Sequence, residues 1–315
     1  MNKKIMILGA AGFIGTNLAK KLSLEPDIQL SLVDSNMEYF ETLKSLDLDN
    51  VSYYEADFSD FEIFDDLVKG QDEIYHLVST TVPTTSNQHI SEELNANVIM
   101  TSKLLESCVK EKVEKVIFIS SGGTVYGKEV NCPLKENTAT NPISSYGIQK
   151  VTIEKLLYLY NYLFGIDYRV VRLANPYGPY QRPNGVLGAV TTFTYKALKD
   201  EEITGYGDGS VVRDFIYIDD AINAIVTIAE TENKHKTFNL GCGYGTSIKE
   251  LLGEIEKTLD VKLKISYLPG RSVDVPINYL DISRYEKYYG KLNPISLEEG
   301  IKRTAEFMKK EYGID

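Results

Sequence analysis

Tyr146 and Lys150 stand four residues apart in Ser145-Tyr146-Gly147-Ile148-Gln149-Lys150, so a phenol and an ammonium share one face at the start of a helix. A cation beside a phenol favours the phenolate and lowers a pKa of about 10 toward neutrality, and an oxidised nicotinamide pushes the same way. Tyr146 is then a general base. The spacing alone proves little, because Tyr195 and Lys199 repeat it in this tyrosine-rich chain. What distinguishes Tyr146 is the upstream segment Ile117-Phe118-Ile119-Ser120-Ser121-Gly122-Gly123-Thr124-Val125-Tyr126-Gly127, an apolar strand that runs into a hydroxyl-rich turn. Ligands bind at that carboxyl edge in doubly wound sheets.

The elements that position these groups begin at the N-terminus. Gly9, Gly12 and Gly15 follow the apolar run Ile5-Met6-Ile7-Leu8 and precede Phe13, Leu18, Leu22 and Leu24, which have helical spacing. Such a strand-turn-helix lets backbone N–H groups approach a pyrophosphate without Cβ obstruction, at the positive end of a helix. A second strand near 28–33 ends in Asp34, 19 residues beyond Gly15, where a carboxylate accepts both ribose hydroxyls and repels a 2′-phosphate. No Arg follows Asp34, so NAD is favoured over NADP.

Strand-like runs near 28–33, 51–55, 72–78, 114–120 and 168–173 alternate with helical patterns, which implies an α/β fold of Rossmann type with a doubly wound parallel sheet. Beyond Arg172 the pattern loosens into helices near 186–199, 218–230 and 247–259 and short apolar runs at 211–217 and 236–240 that could rejoin the first sheet. This reads as a smaller C-terminal region. The segment 151–164 is apolar on nearly every face, so it is expected either wholly inside the monomer or, as a sheet-flanking helix that should keep one wet face, against a partner subunit.

Composition narrows the function. The 315 residues, 43% hydrophobic, can bury a large core, and the net charge of −11 argues against a nucleic-acid or membrane partner. An anionic substrate needs local cations instead. Cys108, Cys132 and Cys242 are few and scattered, as are His76, His89 and His235, so neither disulfides nor a metal site is expected and a reducing cytoplasm fits. No signal peptide is read at the N-terminus and no apolar stretch is long enough to span a bilayer.

Together the residues resemble the extended short-chain dehydrogenase/reductases that act on nucleotide sugars, and within them the UDP-glucose 4-epimerase group. The resemblance covers nearly the whole chain. It rests on Gly9-x-x-Gly12-x-x-Gly15, Asp34, Asp57, His76-Leu77, Asn97, the Ser120–Gly127 block, Tyr146 with Lys150, Arg172-Leu-Ala-Asn175-Pro-Tyr-Gly-Pro, Gly207-Asp-Gly209 with Arg213-Asp214-Phe215, and Arg271-x-x-Asp274. It implies a resident NAD contacted by Gly9, Gly12, Phe13, Ile14, Gly15, Asp34, Asp57, Phe58 (with Asp57 at the adenine), Leu77, Asn97, Tyr146 and Lys150. It further implies a nucleotide sugar, a UDP-hexose first, held by Asn175, Arg213, Arg271, Asp274 and Asn278, with the two guanidinium groups on the diphosphate. The NAD-binding domain is expected over 1–175, joined by about 205–240, and the nucleotide-sugar-binding region over 176–204 and 241–315. A homodimer is expected through helices near 91–111 and 145–164.

The resemblance also bears on the reaction. Dehydratases of this family carry Thr-Asp-Glu after the paired serines, and the decarboxylating branch keeps the Glu; here Gly122, Gly123 and Thr124 occupy those places, so neither branch is favoured. C4 epimerisation through a transient 4-keto sugar needs no such carboxylate. The alternative is an NAD(P)H-dependent reductase of nucleotide-linked 4-keto-6-deoxy sugars, and a non-catalytic NAD-binding descendant is a remote third. The hydroxyl that usually bridges Tyr and the sugar O4 falls on Gly122, leaving Ser121 or Thr124 to supply it. Asn278 stands where some relatives carry a bulky aromatic at the hexose pocket, which leaves space for a 2-acetamido group.

Overall fold

The computed structural model describes residues 2–81, 83, 86–128, 131–183, 188–270 and 275–314. Six strands form in chain order, β1 (Lys3–Leu8), β2 (Ile28–Asp34), β3 (Val51–Glu55), β4 (Glu73–His76), β5 (Lys115–Ser121) and β6 (Asp167–Leu173), and Thr237–Leu240 adds a seventh beside β6. Across the sheet the order is Thr237–Leu240, β6, β5, β4, β1, β2, β3. The pairs β1 with β2, β1 with β4, β2 with β3 and β4 with β5 are parallel. The order reverses between β1 and β4. That reversal is where open α/β sheets bind ligands, and it lies between the Gly9 turn and Leu77.

The strands read as continuous apolar runs because helices cover both faces of a parallel sheet. Met6, Leu8, Ile74, Val116, Phe118 and Val170 are buried in one cluster with Leu104, Leu105 and Cys108 of the helix Met100–Glu111 and Ile153 and Leu157 of the helix Ser145–Phe164. Between Ile90–Leu94 and Met100–Glu111 the helix widens into a π-turn at Asn95–Ile99, a local irregularity common at functional sites.

By packing, the chain divides into two compact units: Met1–Val125 with Pro142–Arg172 and Ile225–Phe238, and Tyr126–Asn141 with Leu173–Ala224 and Asn239–Asp315. Within the second, Tyr126 donates its hydroxyl to Asn239 Oδ1 while Asn239 Nδ2 donates to Leu134 O and Asp281 O, which ties 126–141 into that unit. The run 236–240 does join the main sheet. The run 211–217 does not: it breaks at Asp214 into Val212–Arg213, which pairs with Thr246–Ser247 and Ile277–Asn278, and Phe215–Tyr217, which pairs with Asn175–Tyr177. The cause is Asp214 itself. Fully buried, its carboxylate accepts from Cys242 N at 2.7 Å, Leu280 N at 3.2 Å and Gly243 N at 3.4 Å, which turns the chain inward there.

The helix Ser145–Phe164 is not wholly inside the chain. Ile153, Leu157 and Tyr160 are buried, whereas Ile148, Leu159, Tyr162 and Leu163 are exposed along one stripe, Tyr162 at 76%. No helix among the described residues is long and apolar enough to cross a membrane.

Candidate active site

The glycine turn is built for close approach. Gly9 adopts φ +82°, its N–H and that of Ala10 donate to Val33 O, and Gly12 caps the helix Phe13–Leu22 without any side chain. The first-turn amides therefore have no side-chain acceptor, and helix ends of this kind bind anions. A Cβ on Gly15 would lie 2.4 Å from Gly9 O and 2.6 Å from Ala10 O, so only glycine lets the helix start against the turn. Phe13 and Ile14 are partly exposed beside it. Asp34 Oδ2 accepts from Ala11 N at 3.0 Å and Oδ1 from Ser35 N at 2.9 Å, leaving each oxygen a further lone pair for a ribose. These residues fit a dinucleotide.

Leu77 N donates to Leu8 O, which sets Leu77 beside Gly9 across the reversal point. Asp57 is exposed, with Ser59 N bound to its Oδ1 at 2.8 Å holding the carboxyl below its usual range; the Phe58 ring lies 5.3 Å from that of His76. His76 is fully buried, and desolvation, with the Lys150 charge, pushes it down to about 3, so its imidazole is neutral. Asn97 sits in the π-turn with its amide engaged: Oδ1 accepts from Thr80 N at 2.9 Å, and Nδ2 donates to Thr80 Oγ1 and Glu93 O.

The structure brings the catalytic candidates together. Tyr146 is the second residue of its helix, where Ser144 Oγ caps by accepting from Gly147 N at 3.1 Å. Lys150 Nζ lies 5.4 Å from the Tyr146 ring centroid and 4.7 Å from that of Phe118, and donates to Ile119 O at 3.0 Å. Ile119 immediately precedes the turn bearing Ser121 and Thr124. Thr124 Oγ1 is buried and makes no hydrogen bond among the described residues, so its capacity to donate is in reserve.

Burial pushes the Tyr146 phenol up to about 12, not toward neutrality, and pushes Lys150 down to about 8 against the raising effect of Glu154. Desolvation outweighs the single neighbouring ammonium. The expected lowering toward neutrality includes the second positive charge of an oxidised nicotinamide. Tyr195, by contrast, packs edge-on against Tyr312, a structural contact.

In the second unit Arg213 and Asn278 are register partners on adjacent two-residue strands. Asn278 is 1% exposed, and Arg213 Nη1 donates to Val212 O and Val275 O. Asn175 Nδ2 donates to Asp214 O at 2.9 Å. Arg271 and Asp274 lie outside the described residues. Sequence reasoning passed over Glu154, one turn beyond Lys150, whose buried carboxylate accepts from Ser120 Oγ at 2.6 Å and from Arg172 Nε and Nη2 at 3.0 and 2.6 Å. A lone carboxylate in an otherwise apolar helix was its only signal.

The family model described as "NAD dependent epimerase/dehydratase family" matches residues 5–241. A UDP-glucose 4-epimerase of Mycolicibacterium smegmatis is 32% identical over 97% of this chain and 98% of its own length. A crystal structure of a Thermotoga maritima UDP-glucose 4-epimerase with UDP-glucose superposes with a TM-score of 0.90 at 32% identity, covering 98% of this chain and 99% of that one. A dTDP-4-dehydro-6-deoxyglucose reductase of Escherichia coli is 31% identical over 97% of both chains.

Proposed function

The chain belongs to the NAD-dependent epimerase/dehydratase family, with NAD as its cofactor, and from that premise we propose that it inverts C4 of a UDP-hexose, UDP-glucose and UDP-galactose first. The observation that carries this reading is the Tyr146 and Lys150 pair at a turn, Ser120 to Gly127, with hydroxyls and no carboxylate. Tyr146 removes the proton of the 4-hydroxyl, and Lys150 offsets the charge that develops on the phenolate. Bound NAD⁺ supplies a hydride acceptor that becomes the donor on the return step, so nothing is consumed. On return the phenol reprotonates O4 on the turned-over sugar. Of the two candidate hydroxyls Thr124 is favoured for guiding O4, because its buried Oγ1 has no competing partner among the described residues. Arg213, with Arg271, is assigned to the diphosphate, and Asn175, Asp274 and Asn278 to the sugar.

UDP-glucose incubated with purified protein and no added cofactor, followed by NMR, is expected to yield UDP-galactose. Stoichiometric NADH loss with a nucleotide-linked 4-keto-6-deoxy sugar, and no interconversion, would establish the reductase instead.

We assign the 2-acetamido hexoses to the same pocket on the strength of Asn278. Asn278→Tyr is expected to cut kcat/KM for UDP-GlcNAc about tenfold or more while leaving UDP-glucose within about threefold, since a bulky ring fills space only the acetamido group uses. Equal losses on both substrates would remove that assignment.

The exposed stripe Ile148, Leu159, Tyr162 and Leu163, continued by Ile99 near the helix Met100–Glu111, supports a homodimer. Tyr160 and Ser102 hydroxyls lie 3.3 Å apart, which holds the two helices side by side. Leu159→Glu with Tyr162→Glu is expected to weaken dimerisation at least about 100-fold, read by light scattering across a dilution series. An unchanged dimer would place the interface elsewhere.

A further inference from the structure

Ser145 and Gln149, one turn apart like Tyr146 and Lys150, form a second stripe on the same helix, and both are nearly fully buried. Gln149 Nε2 donates to Ser145 Oγ at 2.9 Å and to Glu93 Oε2 at 3.3 Å, and its Oε1 accepts from Thr81 Oγ1 at 3.1 Å. Asn87 Oδ1 accepts from Ser145 N at 2.7 Å, with Asn87 held at φ 87°, a left-handed conformation that costs a non-glycine residue free energy. Glu93 is itself buried, and the Ser145 hydroxyl holds its carboxyl below the ordinary range, so it is an anion. Outside the helix, every partner comes from the stretch that follows β4. Asn97 ties that stretch down through Thr80.

We propose that Gln149, clamped between Glu93 and Thr81, is the positioning residue that sets the rotation of the Tyr146 helix about its axis and thereby the place of the Tyr146 phenol. Tyr146 lies in the first turn, where a helix is least secured by its own hydrogen bonds. Successive residues are about 100° apart around the axis, so holding the Ser145 and Gln149 stripe fixes the Tyr146 and Lys150 stripe beside it. A rotation of about 7° would carry a phenol oxygen roughly 8 Å from the axis by about 1 Å, enough to cost about 100-fold in rate. A buried polar network with its members satisfied specifies one such setting. Gln suits the position because it donates to the Glu93 anion and accepts from the Thr81 hydroxyl at once.

Gln149→Ala is expected to lower kcat about 100-fold with KM changed less than about threefold. It should also raise the midpoint of the Tyr146 titration, read in the phenolate ultraviolet band of the NAD-loaded protein against Tyr146→Phe as blank, because the rotation carries the phenol away from Lys150 Nζ, which its bond to Ile119 O anchors to the sheet. Gln149→Glu sets a second carboxylate against Glu93 and is expected to be worse. Exchanging the pair, Glu93→Gln with Gln149→Glu, restores one donor and one acceptor and is expected to return both readouts most of the way to wild type, which a general packing role would not do. A Gln149→Ala protein with unchanged kcat and an unchanged Tyr146 midpoint overturns the proposal, as does a folded exchange variant no better than Gln149→Glu. Should Gln149→Ala fail to fold, Gln149→Glu against the exchange variant decides. The inference rests on the epimerase reading only for its kinetic arm: an inactive wild type sinks that reading, while the Tyr146 titration still decides on the clamp.

Discussion

Tyr146→Phe is expected to reduce kcat for C4 epimerisation about 1000-fold, with NAD content and melting temperature left near wild type. The substitution removes one hydroxyl from a ring whose position is fixed by the helix Ser145–Phe164, so binding survives and proton transfer does not. The size of the loss follows from what the phenol has to overcome. Burial alone pushes it up to about 12, so at neutral pH the unaided group is a poor base. Lys150, 5.4 Å from the ring, and the charge of an oxidised nicotinamide must together supply several kcal/mol to ionise it. Lys150→Met tests that division directly. Removing a cation raises the phenol's pKa, so the rising limb of the pH–rate profile should move to more alkaline pH, and activity lost at neutral pH should partly return on raising it. A Lys150→Met profile parallel to wild type would show that Lys150 acts only by holding cofactor. Retention of more than about a tenth of wild-type kcat in Tyr146→Phe would remove Tyr146 as the base.

The dinucleotide half was legible because its signals are local. Ile5 to Leu8, the glycines and Asp34 fall within about one strand-helix-strand unit, and each constraint, from the 2.4 Å clash at Gly15 to the carboxylate at the end of β2, is visible in residue type and spacing. Residues 211–217 misled because Val-Val-Arg-Asp-Phe-Ile-Tyr, rich in β-branched and aromatic residues, reads as one short strand. What breaks it is Asp214 binding amides near 242 and 280, far away in sequence. Two-residue strands such as Ile277–Asn278 are too short for any periodicity to register. For the apolar helix the sequence favoured an interface and left core burial open, since only packing reveals that Leu159 and Tyr162 face outward. The electrostatics of Tyr146 in the protein alone were not legible, because residue types show a neighbouring Lys but not the desolvation around both.

Glu154→Gln is expected to cost about 3–5 kcal/mol of stability and roughly 10 °C of melting temperature, and also to change the pH dependence of catalysis. Glu154 and Arg172 are both buried, and the guanidinium binds the carboxylate through Nε and Nη2 while Ser120 Oγ binds Oε1. Two charges taken out of water in this way are worth little net against an apolar pair, but removing one strands the other. Glu154→Gln with Arg172→Met should therefore melt above Glu154→Gln alone; the opposite order would show that the pair is not the source of the loss. The kinetic effect has a separate origin. Glu154 is the group that raises Lys150 against its desolvation, which already brings the ammonium down to about 8. Without that carboxylate the Lys150 pKa falls further, the ammonium is lost at lower pH, and the alkaline limb of the rate profile moves toward neutrality. Because the double variant also lacks Glu154, it should recover stability without recovering that limb. Stability and catalysis are thus expected to part company at one residue, with the ion pair serving the fold and the charge of Glu154 serving Lys150.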